Sequence, residues 1–392
     1  MDFTFSKRIT KEVLCNYLSR AANIAGPPLS IETMQPAFDF ILDTGAKYIC
    51  RAAHCWVPSA NDYATYPAQR RFIEKIHKID PEVVFEACLF ENVNHLVETI
   101  AIPPYVFNEF GLPVEERCFS LEKMIFPDGL HWELIQKNCG VPDITQTEAK
   151  MFFFYRACEY IKLGYEALHM GQIEWIGYHD HDRRAWTDLN ARIRAFASDH
   201  ARRGFVFLNA HTHGDLGSDG RLLFDFHMFP SRPKATEEEA HPPTEERPQR
   251  CVLEPNHLDS IYGKSLGGLT YSGWSCDSLP YLVELDNYGN NPEIRNQPNP
   301  NLIESWGMDE ITWFANQPAA YRSEFLRYAH KWMRTDAAGD GYFAMPAHRV
   351  AEIYDANGLT VDDHYIAYPA DHTNGGAGDQ IVIRNLWRES TT

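Results

Sequence analysis

The 392-residue sequence lacks a cysteine framework: its nine cysteines (15, 50, 55, 88, 118, 139, 158, 251 and 276) are odd in number and include no C-x-x-C pair. That excludes a zinc ribbon or a disulfide scaffold as the organising device. Cys50 and Cys88 sit inside apolar runs, where a free thiol behaves as a small hydrophobe. No apolar stretch approaches the roughly 18 residues that span a bilayer, so no membrane partner is expected. The first residues, Met1 to Lys7, show no basic region leading into an apolar one. The expectation is therefore a soluble cytoplasmic protein, although a secreted chain without its leader would begin the same way. Basic residues are scarce as well: 36 Lys and Arg face 54 Asp and Glu, a formal net charge of −18. Phosphate backbones are bound by cations that displace counterions, so a nucleic-acid partner is excluded. A strongly anionic polysaccharide would need a local basic patch, and a neutral or cationic substrate is the easier reading. No G-x-G-x-x-G follows the first strand candidate, and no repeat recurs at a solenoid period.

What is present is an ordinary globular composition, 44% hydrophobic, with a heavy aromatic load of nine Trp and 19 Tyr. Such side chains fill cores and also form stacking platforms for sugars. Along the chain, short apolar runs alternate with amphipathic helical patterns. Strand candidates are 46–53, 83–90, 165–174, 205–211, 222–229, 281–286 and 341–345, and the runs 365–368 and 311–314 compete for an eighth. Helices are predicted over about 67–79, from a capping box Thr145-x-x-Glu148 to Leu163 with Gly164 as its stop, over 186–203, and from Pro318 to Arg334. Alternation of this kind calls for a parallel sheet, and seven or eight strands call for closure into a (β/α)8 TIM-type barrel with long loop insertions at its C-terminal face. The whole of 1–392 reads as one catalytic domain, with an excursion over about 91–145. The acidic, Pro-rich segment 234–250 reads as a flexible loop.

Residues two apart on a strand share a face, and several strand candidates end in polar pairs. Gln172 pairs with Glu174, Asn209 with His211 and His213, Asp225 with His227, and Glu284 with Asp286, while Glu86 falls in line on the second run and Glu91 sits just past its end. Any one of these could be a buried polar group satisfied by backbone, but several carboxylates buried together without a task would cost several kcal/mol. Glu86, Glu174, His211, Asp225 and Glu284 are therefore expected to line one mouth.

Two chemistries fit. Glycoside cleavage needs one carboxylic acid and one carboxylate. Glu174, followed by the apolar Trp175, is the acid candidate, and Glu284 is the nucleophile or base, with Asp286 as its alternate. Glu86, Gln172, Trp175, Asn209, His211, His213, Asp225, His227 and Trp274 would then bind the carbohydrate, and Trp56, Trp306 and Trp313 are further stacking candidates. No cofactor is required on this reading. The alternative is a metal-dependent hydrolase, or a sugar isomerase or epimerase, with a divalent ion on His211, His213 and Asp225. His211-Thr-His213 resembles the H-x-H of amidohydrolase barrels, but those carry it on the first strand. The His179-Asp-His-Asp182 run precedes two arginines and reads as a solvated loop. A catalytically inert carbohydrate-binding barrel is the third reading.

In layout, residues 46–346 resemble the glycoside hydrolase (β/α)8 barrels. The two-glutamate clan of those enzymes has Asn-Glu on its fourth strand and Glu on its seventh. Here the candidates are Gln172-Ile173-Glu174, on about the third, and Glu284, on about the sixth. The offset implies either an early strand not yet counted or a different family.

Overall fold

The computed structural model describes residues 1–25, 31–53, 55–237, 241, 243–287, 308–355, 358–369 and 378–389. Trp306 and most of the Asn/Pro-rich loop after Asn287 lie outside them. The centre is one sheet, with strands β1 (Ala21–Ile24), β2 (Tyr48–Ala53), β3 (Val84–Cys88), β4 (Ala167–Gln172), β5 (Phe207–His211), β6 (His227–Pro230), β7 (Tyr281–Glu284), β8 (Gly341–Phe343), β9 (Met345–Tyr354) and β10 (Thr360–Ile366). Their order is β8-β7-β6-β5-β4-β3-β2-β1-β9-β10, and every neighbouring pair is parallel except β9 with β10. Only Ala344 separates β8 from β9, so one continuous run pairs with β7 through Gly341–Phe343 and with β1 through Met345–His348. The architecture is mixed α/β and barrel-like.

Ten α-helices are described: α1 (Lys11–Leu18), α2 (Ile31–Thr44), α3 (Tyr66–His77), α4 (Pro104–Glu109), α5 (Thr147–Leu163), α6 (Ile173–Ile176), α7 (Arg184–His200), α8 (Glu310–Ala315), α9 (Ala319–Thr335) and α10 (Asp379–Glu389). A helix stands between most successive strands, but none lies between β5 and β6 and, among the described residues, none between β6 and β7. The first of these links carries Gly214, Gly217 and Gly220, and each glycine costs a helix about 1 kcal/mol relative to alanine. The expected full set of β/α units is thus incomplete among the described residues.

Two apolar clusters follow from strand alternation. One side of the sheet packs on the helices through residues such as Ile49, Phe85, Leu168, Leu208 and Val283. The other gathers Ala21, Tyr48, Val84, Ala167, Phe207, Met228, Leu282 and Ala344 into an inner cluster. Phe3, Phe5 and the buried face of α1 join this inner cluster where the strands begin. Trp274 packs against it too, with its indole N–H donating to the Ile9 carbonyl at 3.0 Å.

Several sequence expectations change. The uncounted strand is β1, ahead of all the candidates, so Gln172 ends the fourth strand and Glu284 ends the seventh. Ile311–Phe314 belongs to α8, and Tyr365 to the antiparallel β10. The capping box does not form: Thr145 donates to Asp143, while Glu148 takes Arg117 and the Ser120 N–H. Gly164, with φ +106°, closes α5 as expected. The excursion from β3 to α5 is well packed, with Val97, Val106, Phe107, Phe119, Met124 and Phe126 all buried. In segment 234–250, Lys234–Ala235 pairs antiparallel with Cys251–Val252 and Gln249 bonds Gln317.

Candidate active site

The polar ends of β2, β3, β4, β5, β7 and β9 converge on one buried group. Arg51 is the pivot. It sits in β2 with φ +57°, where the register with β3 slips between Ile49 and Ala53, and this kink re-aims its side chain. Its Nε donates to both oxygens of Glu284 at 3.0 and 2.9 Å, and its Nη2 also bonds Oε1. From β9, Arg349 Nη1 donates to Glu284 Oε2 at 2.8 Å and Nη2 to Asn287 Oδ1 at 2.6 Å. Burial pushes the Glu284 carboxyl up, but Arg51, Arg349 and the hydrogen bond from His211 outweigh it and hold it well below the usual carboxylate range.

Gln172 donates to His211 Nδ1 at 2.9 Å, which leaves Nε2–H to face Glu284 Oε1 at 3.3 Å. Deeper, Glu86 accepts from Tyr48 at 2.6 Å, Asn209 at 2.7 Å and the Arg51 N–H at 3.1 Å. Burial raises its pKa. His169 Nδ1 donates to Asn209 Oδ1 at 2.7 Å, and burial holds this ring neutral, with Nε2 unpartnered.

Two carboxyls at the mouth keep oxygens unengaged by any other side chain's hydrogen bond among the described residues. Asp286, two residues past Glu284, has Arg51 and Arg349 at 3.7 and 3.9 Å, and its carboxylate accepts no hydrogen bond among the described residues. Glu91, past the end of β3, takes the Gln172 N–H at 3.3 Å on Oε2. Burial raises its pKa, and the hydrogen bonds from its own N–H and from Gln172, with the charge of Arg51, only partly offset that. Charge counting agrees: two guanidiniums balance Glu284 and Asp286, so ionising Glu91 or Glu86 as well would leave a net buried charge.

The other predicted residues lie elsewhere. Glu174 is on α6, its side chain 61% exposed and paired with Arg183 at 3.1 Å. Gly171, with φ +77°, bulges β4 and the chain turns into α6 after Gln172, so the two-residue alternation that aligned Glu174 with Gln172 stops there. Trp175 is half-buried on the same turn. Asp225 precedes β6, where it accepts the Leu208 N–H and pairs with Arg194 of α7 at 3.0 Å. It is a tie between helix and sheet. His227 opens β6, its Nδ1 on Ser265 at 2.9 Å and its pKa pushed down to about 3 by burial. His213 turns away to the Asp259 carbonyl at 2.5 Å. The proposed ion set of His211, His213 and Asp225 is therefore not assembled. His211 instead meets Glu284 and Asp286, all within 4.8 Å. Two guanidiniums already hold Glu284 there, an unfavourable neighbourhood for a dication. Trp313 is wholly buried, and Asp180 of the His-Asp-His-Asp run caps α7 through the Ala185 and Trp186 N–H groups.

Arg51, Arg349, Tyr48 and His169 were missed in the sequence. The first two announce themselves as lone cations in apolar runs, YICRAA and PAHRVA.

No protein-family model and no curated protein matches the chain. Solved structures similar to it are glycoside hydrolases. A debranching enzyme from Nostoc punctiforme is 12% identical with a TM-score of 0.46, the match covering 95% of this chain and 80% of that one. An Anoxybacillus alpha-amylase is 11% identical at 0.42, over 95% and 78%. The glycoside hydrolase domain of PelA from Pseudomonas aeruginosa is 12% identical at 0.27, over 71% and 85%.

Proposed function

We propose that this chain is a carbohydrate hydrolase on a closed (β/α)8-type barrel, with Asp286 as the working carboxylate and Glu91 as the general acid. Closure is supported by the run 341–354, which pairs with both β7 and β1. One observation carries the mechanism. The two mouth carboxyls with unengaged oxygens stand in opposite surroundings, Asp286 between two guanidiniums and Glu91 in a buried niche that favours its proton. One carboxylate beside two cations and one carboxyl in a buried niche suit the roles of base and acid. Glycosidic cleavage requires that division: Glu91 protonates the leaving oxygen while Asp286 attacks the anomeric carbon or activates water. Glu284, already bonded by Arg51, Arg349 and His211, orients the arginines rather than attacking. Trp56, 38% exposed and edge-on to Phe90 at 5.2 Å, supplies an aromatic lip for a sugar face.

The test is hydrolysis of a panel of neutral aryl glycosides and oligosaccharides. Asp286→Asn and Glu91→Gln should each lower turnover by about 10²- to 10⁴-fold or more while the protein stays folded. Glu174→Gln should stay near wild type. Loss of activity in Glu174→Gln with retention in Glu91→Gln would reverse the assignment of the acid.

A further inference from the structure

At the opposite end of the strands, between the end of α1, the last turns of α9 and the start of β8, lies a cavity of about 330 Å³. Leu18, Met333 and Phe343 give it an apolar floor, and His330 and Arg334, one helical turn apart on α9, line it. Arg20, which follows α1, lies beside them. It is only 7% exposed, and its one described partner is the Trp387 ring, 5.7 Å away.

The electrostatics here are unbalanced. Burial, joined by the charge of Arg334, lowers the Arg20 pKa to about 10, with no carboxylate opposing them. His330 is pressed down to about 4 by burial and by the charges of Arg334 and Arg20. The nearby carboxylate, Asp340, is already committed to Lys11 at 2.6 Å. Neither Arg20 nor Arg334 has an ion-pair partner among the described residues. Burying a cation without an anion is strongly unfavourable, and this chain carries 18 surplus negative charges from which a partner could have been drawn. The C-terminal turn of α9 favours a cation at Arg334 but does not balance Arg20.

We propose that this cavity binds a small phosphorylated molecule, its phosphate held by Arg334 and His330 in the field of the neighbouring Arg20, and its organic part resting on Leu18, Met333 and Phe343. Planar guanidiniums match phosphate oxygens in a bidentate way, and paired basic groups suit a dianion. The volume admits a ligand of about sugar-phosphate size. The site lies where the strands begin, whereas Asp286 and Glu91 lie where they end, so it is separate from the proposed hydrolytic centre.

The experiment is calorimetric titration of the full chain with inorganic phosphate and with glucose 6-phosphate, at constant ionic strength set by chloride, with glucose as the neutral control. Both phosphates should bind saturably at one site. Arg334→Ala, a change at an exposed position, should weaken them at least tenfold, and Arg20→Met should weaken them as well. If Arg20→Met fails to fold, His330→Ala serves in its place and should also weaken binding. Asp286→Asn should bind as wild type does. Phosphates that bind no better than chloride, affinity unchanged in Arg334→Ala, or binding lost in Asp286→Asn would each overturn the proposal.

Discussion

At Gly171 a Cβ would come within 2.5 Å of Glu91 Oε2, on a backbone whose φ of +77° disfavours any L side chain. Glycine there lets the Glu91 carboxyl seat against β4, which keeps it buried and its pKa raised. Gly171→Ala should cost about 1–2 kcal/mol from the left-handed backbone alone, read by urea unfolding. It should also displace Glu91, so the activity loss should fall on kcat more than on KM. Because burial raises the Glu91 pKa, this proposed acid keeps its proton to higher pH than an ordinary glutamate does. Activity should fall as pH rises through that raised value, and Glu91→Gln should erase this alkaline limb from whatever residual rate remains. A limb that persists in the variant would assign the acid to another group. Arg51 adds the other half of the contrast. Arg51→Lys keeps a charge but loses the planar fork that spans Glu284 and reaches towards Asp286, so it should retain the fold better than Arg51→Met and still lose most activity.

Among the elements, α7 is fixed to the sheet by one buried ion pair, Arg194 with Asp225, which also receives the Leu208 N–H. Removing one partner strands the other charge. Asp225→Asn or Arg194→Met should each cost about 3–5 kcal/mol in urea unfolding, and the double replacement less than the two together. Activity per folded molecule should hardly change, because Asp225 does not face the mouth. This pair also shows where sequence legibility ended. Strands β2 to β8 stood out as apolar runs between helical patterns, and Glu86, Gln172, Asn209, His211, Glu284 and Asp286 were placed by two-residue alternation. β1 was lost because Ala21–Ile24 is four residues long and weakly apolar. Alternation also fails wherever the backbone bulges. Arg51 and Gly171 break the period, so neither the inward turn of Arg51 nor the outward swing of Glu174 could be read from spacing. Asp225 shared the polar pattern of its neighbours but sits just before the start of its strand, and a strand candidate without known ends does not say which end faces the substrate.

For the whole molecule, stability against pH reflects opposing buried groups. Glu284 has a depressed folded pKa, so its contribution is present above the unfolded value near 4.3 and is lost as pH falls through the folded one. Glu310, pushed up to about 7 by burial, acts the other way: ionising it costs the folded state near neutrality, and that cost fades as pH falls. His227 is the cleanest group to isolate. Burial holds its pKa at about 3, against an unfolded value of about 6.5. The unfolded chain therefore takes up the proton first, and His227 withdraws stability as pH drops below about 6.5, by up to ~1.4 kcal/mol per pH unit, until pH nears the folded value. His227→Asn retains an N–H for Ser265 and cannot titrate. The variant should be less stable than wild type at pH 7, and that deficit should shrink by about 1–2 kcal/mol by pH 5, compared by urea unfolding at both pH values. Background titrations such as those of Glu284 and Glu310 are common to both proteins and cancel in the difference. A deficit of equal size at both pH values would mean that His227 is not held neutral in the folded protein.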